Sequence, residues 1–281
     1  MALTDWQFQV DDFIFGAGTP YGVVSVTGLR GMPDLRSQAT PRDGADGLFT
    51  GPDRAGGRTI EFTLDLGVEA GASMTDLVDV LAAAMIPRDD VAVLYFREPG
   101  RATRQVLGRW RRGAPVIDQA YSLGYTRFPV QFSCDDPHIY GAVEAAIVTM
   151  PVGGGVTLPV TMPVVFPGTT GGAQTIRNDG NTTSRPAVII LGPATLPRVH
   201  NLTTGEELAV FTLLNEGDTL VADARDRTLK LNGRPCRELL MPGASWITLA
   251  PGDNVISFAA TATGGGSAPS TVIYYADTWI S

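Results

Sequence analysis

Apolar and polar positions alternate most cleanly from Arg58 to Leu66. Ile60, Phe62, Leu64 and Leu66 share one face, and Thr59, Glu61, Thr63 and Asp65 share the other. A period of two predicts a half-buried β-strand. After Gly71 the period changes. Leu77, Val78, Leu81, Ala84 and Met85 recur at helical spacing, so a helix is expected over about Met74–Met85, with Ser73 as its cap, Asp76 three residues on and Pro87 barring continuation. Strands return over Val91–Arg97 and Arg104–Trp110, joined by a Pro99-Gly100 turn, and over Tyr125–Cys134, where Thr126, Phe128, Val130 and Phe132 fall on one side. Upstream, Phe8, Val10, Phe13, Phe15 and Val23–Val26 supply short strands broken at Gly16-Ala17-Gly18 and Gly28.

The carboxy-terminal half repeats this pattern in shorter units. Asp218–Ala222 is apolar and β-prone, the Asp223–Asp226 cluster turns it back into Thr228–Leu231, and Asn232-Gly233 closes that strand, because both residues tolerate the positive φ of tight turns. Trp246, Thr248 and Ala250 alternate with Ile247 and Leu249 before Pro251–Asn254 turns the chain into Val255–Phe258. Short strands at roughly ten-residue spacing predict an antiparallel sandwich or barrel. Val148–Gly172, rich in Val, Pro, Thr and Gly, suits edge strands and connections.

Between Gly31 and Gly57 the periodicity stops. Three prolines and several glycines there predict a long loop or extended hairpin. Loops of this length inside a compact domain are uncommon and usually functional or disordered. Met32, Leu35, Leu48 and Phe49 would be wasted on water, so they are expected to meet a partner.

With 281 residues, two domains are expected, 1–142 and 143–281, with the boundary near Ala142. A net charge of -8 argues against a nucleic-acid binder, which needs clustered Lys and Arg. Cys134 and Cys236 fall in different expected domains and read as buried thiols, not a disulfide. The amino terminus lacks a signal-peptide pattern, and no apolar run approaches the about eighteen residues of a membrane span, which points to a cytoplasmic origin.

Candidate chemistry is sparse. Asp135 and Asp136 with His138 could suggest an acid–base or metal cluster, but adjacent carboxylates on extended chain point apart, and Asp before Pro is ordinary turn chemistry. His200 has no ligand-type neighbours, Ser133 and Ser245 lack a nucleophile elbow, and the runs Gly153-Gly154-Gly155 and Gly264-Gly265-Gly266 precede no phosphate-binding lysine. No catalytic residue, metal or cofactor is nominated. Arg109-Trp110-Arg111-Arg112 is the one basic cluster, and a salt-bridged subunit surface is its expected role. Trp246, Tyr274, Tyr275 and Trp279 could stack on sugars, although aromatics in such strands are more often core.

Several of these pieces carry a family resemblance. The GDTL run at Gly217–Leu220, the Asn232-Gly233 strand end, the WITLAPGDN stretch at Trp246–Asn254, Asn178-Asp179-Gly180-Asn181, Arg185–Pro193 and Asn201–Glu206 follow one another as in the carboxy-terminal half of siphophage distal tail proteins. The RTIEFTLDL strand with one capped helix, and the DPHIY turn at Asp136–Tyr140, resemble their amino-terminal half. The resemblance implies a mostly β fold, with a tail-tube-like β-barrel carrying one α-helix at the amino end and a galectin-like β-sandwich at the carboxy end. It further implies a non-enzymatic virion protein of the tail tip, assembled in the host cytoplasm, whose hexameric ring joins the tail-tube protein to the central hub. Receptor-binding proteins could anchor on the sandwich, and DNA would pass through the ring without being bound. Met32, Leu35, Leu48, Phe49, Arg109, Arg111 and Arg112 are the expected subunit or tube interface. The alternative is an adhesin gripping host-surface sugars through the sandwich.

Overall fold

The computed structural model describes residues 3–68, 73–150, 172–261 and 269–281. Both glycine runs, and positions 151–171 of the expected edge strands, lie outside the described residues. The chain forms two compact units: Met1–Ala142 with Trp279–Ser281, and Val143–Thr278.

The first unit opens with three strands, β1 (Gln7–Val10), β2 (Phe13–Gly16) and β3 (Tyr21–Thr27). Residues 31–57 form an extended hairpin with two short ladders. In it β4 (Leu35–Arg36) pairs β7 (Arg54–Ala55), and β5 (Thr40–Pro41) pairs β6 (Leu48–Phe49). There follow β8 (Arg58–Gly67), α1 (Met74–Ala84), β9 (Ala92–Arg97), β10 (Arg104–Gly113), the single turn α2 (Gln119–Ser122) and β11 (Tyr125–Cys134). Strand β12 (Ile139–Thr149) carries the chain into the second unit.

Neighbouring strands are antiparallel in the order β2-β1-β9-β10-β11-β8-β3. The alternation of β8 is realised in full, with Ile60, Phe62, Leu64 and Leu66 buried. The core is aromatic: Phe62 meets Phe8 edge-on at 5.1 Å, and Trp110 meets Phe132 edge-on at 4.8 Å. Strand β10 changes partner midway, pairing β9 through Arg104–Gly108 and β11 through Arg109–Gly113. Gly108 permits the change, since a Cβ there would lie 2.5 Å from the Ser133 carbonyl and 2.6 Å from the Phe132 ring. Two β10 residues then step past one of β11 between Trp110 and Arg112, which makes Arg111 a bulge.

Helix α1 packs Met74, Val78, Leu81 and Met85 into this core. Ser73 has the extended backbone of a cap, but its side chain makes no capping hydrogen bond, so the expected Ser73–Asp76 box does not form. Helix α2 was not foreseen. It rests on Asp118, whose side chain accepts from the Tyr121 N–H.

The second unit holds β13 (Ala173–Asn178), β14 (Ala187–Leu191), β15 (Ala194–Asn201), β16 (Glu206–Ala209), β17 (Leu213–Leu214), β18 (Thr219–Asp223), β19 (Thr228–Leu231), β20 (Arg234–Pro235), β21 (Gly252–Thr261) and β22 (Ser270–Trp279). One sheet runs β22-β14-β18-β19-β20; the other runs β13-β21-β15-β16, with β17 also on β15. They share one apolar core, in which Ile190, Leu220, Leu249, Ile256 and Ile273 are fully enclosed. Asn232 and Gly233 take φ of +51° and +81° in the β19–β20 turn.

Buried asparagines wire its turns. Asn178 donates to the Thr182 and Leu249 carbonyls and accepts from the Gly180 and Thr278 N–H groups. Asn201 accepts from Thr203 and Thr204 N–H and donates to the Thr248 carbonyl, while Asn254 bonds both backbone groups of Ala250. All three are at most 1% exposed. Trp246–Ala250 is not a regular strand. Ile247 and Leu249 point inward as the alternation requires, yet the segment is held by one bridge from Leu249 to Ser184 and by Glu206, which accepts from the Thr248 N–H and hydroxyl at 2.7 Å each.

Candidate functional site

The hairpin of residues 31–57 carries four strongly exposed apolar side chains. Met32, Leu35, Leu48 and Phe49 are 73%, 68%, 56% and 59% exposed, far above the buried norm for such side chains. The backbone explains how they stand out. Each ladder has only two residue pairs, and the residues of β4, β5 and β6 are all exposed. Gly44 and Gly47 turn the tip with φ of +71° and +99°. Arg42 covers one face of the Phe49 ring at 5.3 Å and leaves the rest to solvent.

Arg111 is the bulged residue of β10, while Arg109 and Arg112 stand opposite Ser133 and Gln131 of β11. Arg111 and Arg112 are exposed, and Arg112 borders a shallow cavity with Glu61 and Gln131. Arg109 is half-buried in a separate cavity with Trp110. The seven expected interface residues therefore occupy three places in the first unit: the hairpin, the bulge and this cavity.

The acid–His segment is a turn scaffold. Asp136 accepts from the His138 backbone N–H at 3.0 Å, its ring Nδ1 at 2.6 Å and the Tyr140 hydroxyl at 2.7 Å. Burial works against the Asp136 carboxylate, but these hydrogen bonds outweigh it and hold the carboxyl well below the usual range. Cys134, just upstream, is buried, and that burial pushes its thiol up to about 12 despite nearby Arg58. A nucleophilic cysteine needs the opposite shift. Among the described residues no group of three or more His, Cys, Asp or Glu could hold a metal ion.

The aromatic candidates of the carboxy-terminal half are mostly engaged. Trp279 carries the Arg104 guanidinium at 3.7 Å, Trp246 has Arg237 at 5.9 Å, and the Tyr275 hydroxyl donates to Glu144 at 2.7 Å. Tyr274 is 41% exposed. Sequence reasoning missed Arg58, which is 2% exposed and donates to five backbone carbonyls. Its place two residues before Ile60, in phase with the buried face of β8, was the available signal.

Residues 179–279 match the model of the siphovirus-type tail component, C-terminal domain. The distal tail protein of Bacillus phage SPP1 is 23% identical over 222 residues, covering 76% of this chain and 74% of that protein. The solved structure of that phage's distal tail protein, described as a paradigm of hub adsorption apparatus in phages infecting Gram-positive hosts, matches 97% of this chain and 98% of its own, at 18% identity and a TM-score of 0.67. A looser match, at 12% identity and a TM-score of 0.49, is to the phage P2 baseplate in its activated conformation with calcium.

The chain is a structural protein of a phage tail or baseplate. Its mostly β fold is that of the SPP1 protein. Within that class it is similar to the SPP1 distal tail protein in sequence and in fold, and its residues 179–279 match the tail-component domain.

Proposed function

We propose that this chain forms a closed ring, a hexamer by analogy with its family, at the tip of a long non-contractile tail. The ring joins the tail-tube protein to the central hub, offers the carboxy-terminal sandwich as an anchor for receptor-binding proteins, and catalyses nothing. Its two domains would follow the expected division, 1–142 forming the ring and 143–281 the galectin-like sandwich. It assembles in the host cytoplasm. No helix among the described residues is long and apolar enough to cross a membrane.

The observation that carries this reading is the hairpin with exposed Met32, Leu35, Leu48 and Phe49. Covering them with a neighbouring copy would contribute about 1.5–3 kcal/mol for each large side chain fully buried. Ring closure would also cover strand edges that an isolated unit leaves open. Arg109, Arg111 and Arg112 would join the same contacts.

DNA passes through the ring and is not held. The outer faces of β8 and β11 carry Thr59, Glu61, Thr63 and Asp65 beside Arg127, Pro129, Gln131 and Ser133, a mixture with no basic stripe. Phosphate grip requires clustered cations that release counterions. An affinity tag on the chain, located by particle imaging, tests the placement: label at the distal end of the tail is expected, and label on the capsid or along the tail shaft would refute it. A DNA titration of assembled rings at low salt tests the passage, and tight, salt-sensitive binding would contradict it.

A further inference from the structure

Six asparagines occur in the chain, and Asn232 is the one followed by glycine. It stands one step beyond the last β18–β19 pair, Leu220 against Leu231, and opens the exposed turn into β20. An Asn-Gly pair is prone to react with itself, because no Cβ shields the glycine nitrogen. The backbone nitrogen of Gly233 loses its proton to hydroxide and bonds to Asn232 Cγ. The Cγ–Nδ2 bond breaks, and Nδ2, taking a proton from water, leaves as ammonia. One water then opens the succinimide at either carbonyl, which yields aspartate or isoaspartate. The first step requires the side-chain amide to swing towards the Gly233 nitrogen.

In the folded chain both ends of that amide are held elsewhere. Asn232 Oδ1 accepts from the Thr219 N–H at 2.9 Å, and Nδ2 donates to Asp218 Oδ1 at 2.8 Å. The second Asp218 oxygen accepts from the backbone and side-chain amides of Asn215, at 2.7 and 3.3 Å. Asp218 is thus fixed from two sides. The Asn232 amide first, and then the Asn215 amides, hold its carboxyl below the usual aspartate range.

We propose that Asn232 is a deamidation site latched by Asp218 and Thr219. While the latch holds, the amide is turned away from Gly233 and the chain keeps its net charge of -8. Once the amide reacts, ammonia is lost and one negative charge is added. The new carboxylate meets Asp218, so repulsion between like charges replaces a hydrogen bond. Isoaspartate also lengthens the backbone of the β19–β20 turn. Either product leaves the latch open. The site lies within the second unit and does not rest on ring assembly.

The test incubates the full chain at mildly alkaline pH, folded or unfolded in guanidinium chloride, and follows every asparagine by peptide mass spectrometry. Asn232 is expected to react first of the six in the unfolded chain. Asp218→Ala, which removes the bond to a charged group, is expected to speed its reaction in the folded chain about tenfold. Asp218→Asn keeps an acceptor there and should stay nearer the natural rate. Unfolding, which removes both bonds, should speed the natural chain by more than Asp218→Ala does. Another asparagine reacting first in the unfolded chain overturns the site. Equal rates in the folded and unfolded chain, or no acceleration in Asp218→Ala, overturn the latch. Should Asp218→Ala fail to fold, the comparison of folded and unfolded natural chain decides alone.

Discussion

Arg58 donates through Nη2 to the Ile280 carbonyl, joining residues 222 positions apart. The same guanidinium reaches Pro137 through Nε and Gly28, Leu29 and Gly31 through Nη1, at 2.8–3.0 Å. One buried cation therefore fastens the start of the hairpin, the turn after β11 and the end of β22 to the first strand residue of β8. Its charge is spread over carbonyl dipoles, and burial lowers its pKa without threatening an arginine's charge.

Arg58→Leu is expected to destabilise the first unit by about 3 kcal/mol or more, because each hydrogen bond to a charged group contributes about 1.5–3 kcal/mol and the stranded carbonyls add their own cost. Arg58→Lys should recover part of the loss. Denaturant unfolding of the full chain measures both. A loss below about 0.5 kcal/mol for Arg58→Leu, the range of an ordinary surface change, would show that these bonds stabilise nothing.

Asp136 sets a pH dependence. Its folded pKa is depressed, so its stabilisation is fully present above the unfolded aspartate value of about 3.9 and fades as pH falls below it towards the folded value. Asp136→Asn should cost about 2 kcal/mol at pH 5. The gap to the natural sequence should narrow by about 1 kcal/mol at pH 3. Paired unfolding curves at the two pH values check this. A gap that widens on acidification would reverse the sign argued for the carboxylate.

Asn178 uses both ends of its amide, donating to two carbonyls and accepting from two N–H groups. Asn178→Asp keeps the shape but sets a carboxylate oxygen against the Thr182 and Leu249 carbonyls. It should therefore destabilise the second unit by about 3 kcal/mol, at least as much as Asn178→Ala. Calorimetry of the full chain should show a lowered transition in both variants. Equal stability of the Asp variant and the natural sequence would mean that the four bonds are not as described.

The exposed hairpin allows assembly and folding to be separated. Leu48→Ser with Phe49→Ser should leave monomer stability within about 0.5 kcal/mol, since neither side chain packs on the core. Association should nevertheless weaken by tenfold or more, at about 1.4 kcal/mol per decade. Sedimentation over a range of concentrations measures the second effect, chemical unfolding the first. Unchanged association would remove this hairpin from the ring contacts.

Much of the fold was legible because β8 and β11 bury one face each, and a period of two survives in sequence wherever that is so. Arg58 obeys the same period, but its charge disguises a buried position whose acceptors come from three distant segments. At Trp246–Ala250 the alternation of Ile247 and Leu249 is real, while the expected ladder is replaced by the Glu206 carboxylate, a long-range partner that no local pattern reveals. The four hairpin residues were legible as apolar groups in polar company. The bulge at Arg111 was not, because it depends on the pairing of β10 with the distant strand β11. The family motifs were read as turn chemistry, and their buried asparagines show why: Asn178, Asn201 and Asn254 each satisfy backbone groups that would otherwise be orphaned.

Ring assembly is tested most directly by light scattering of the purified full chain, paired with imaging of tail tips. The account predicts a closed ring, with a solution mass six times the 29.7 kDa of one chain and the same ring visible at the distal end of the tail. A strict monomer in solution, with no ring of this chain at the tip, would contradict it.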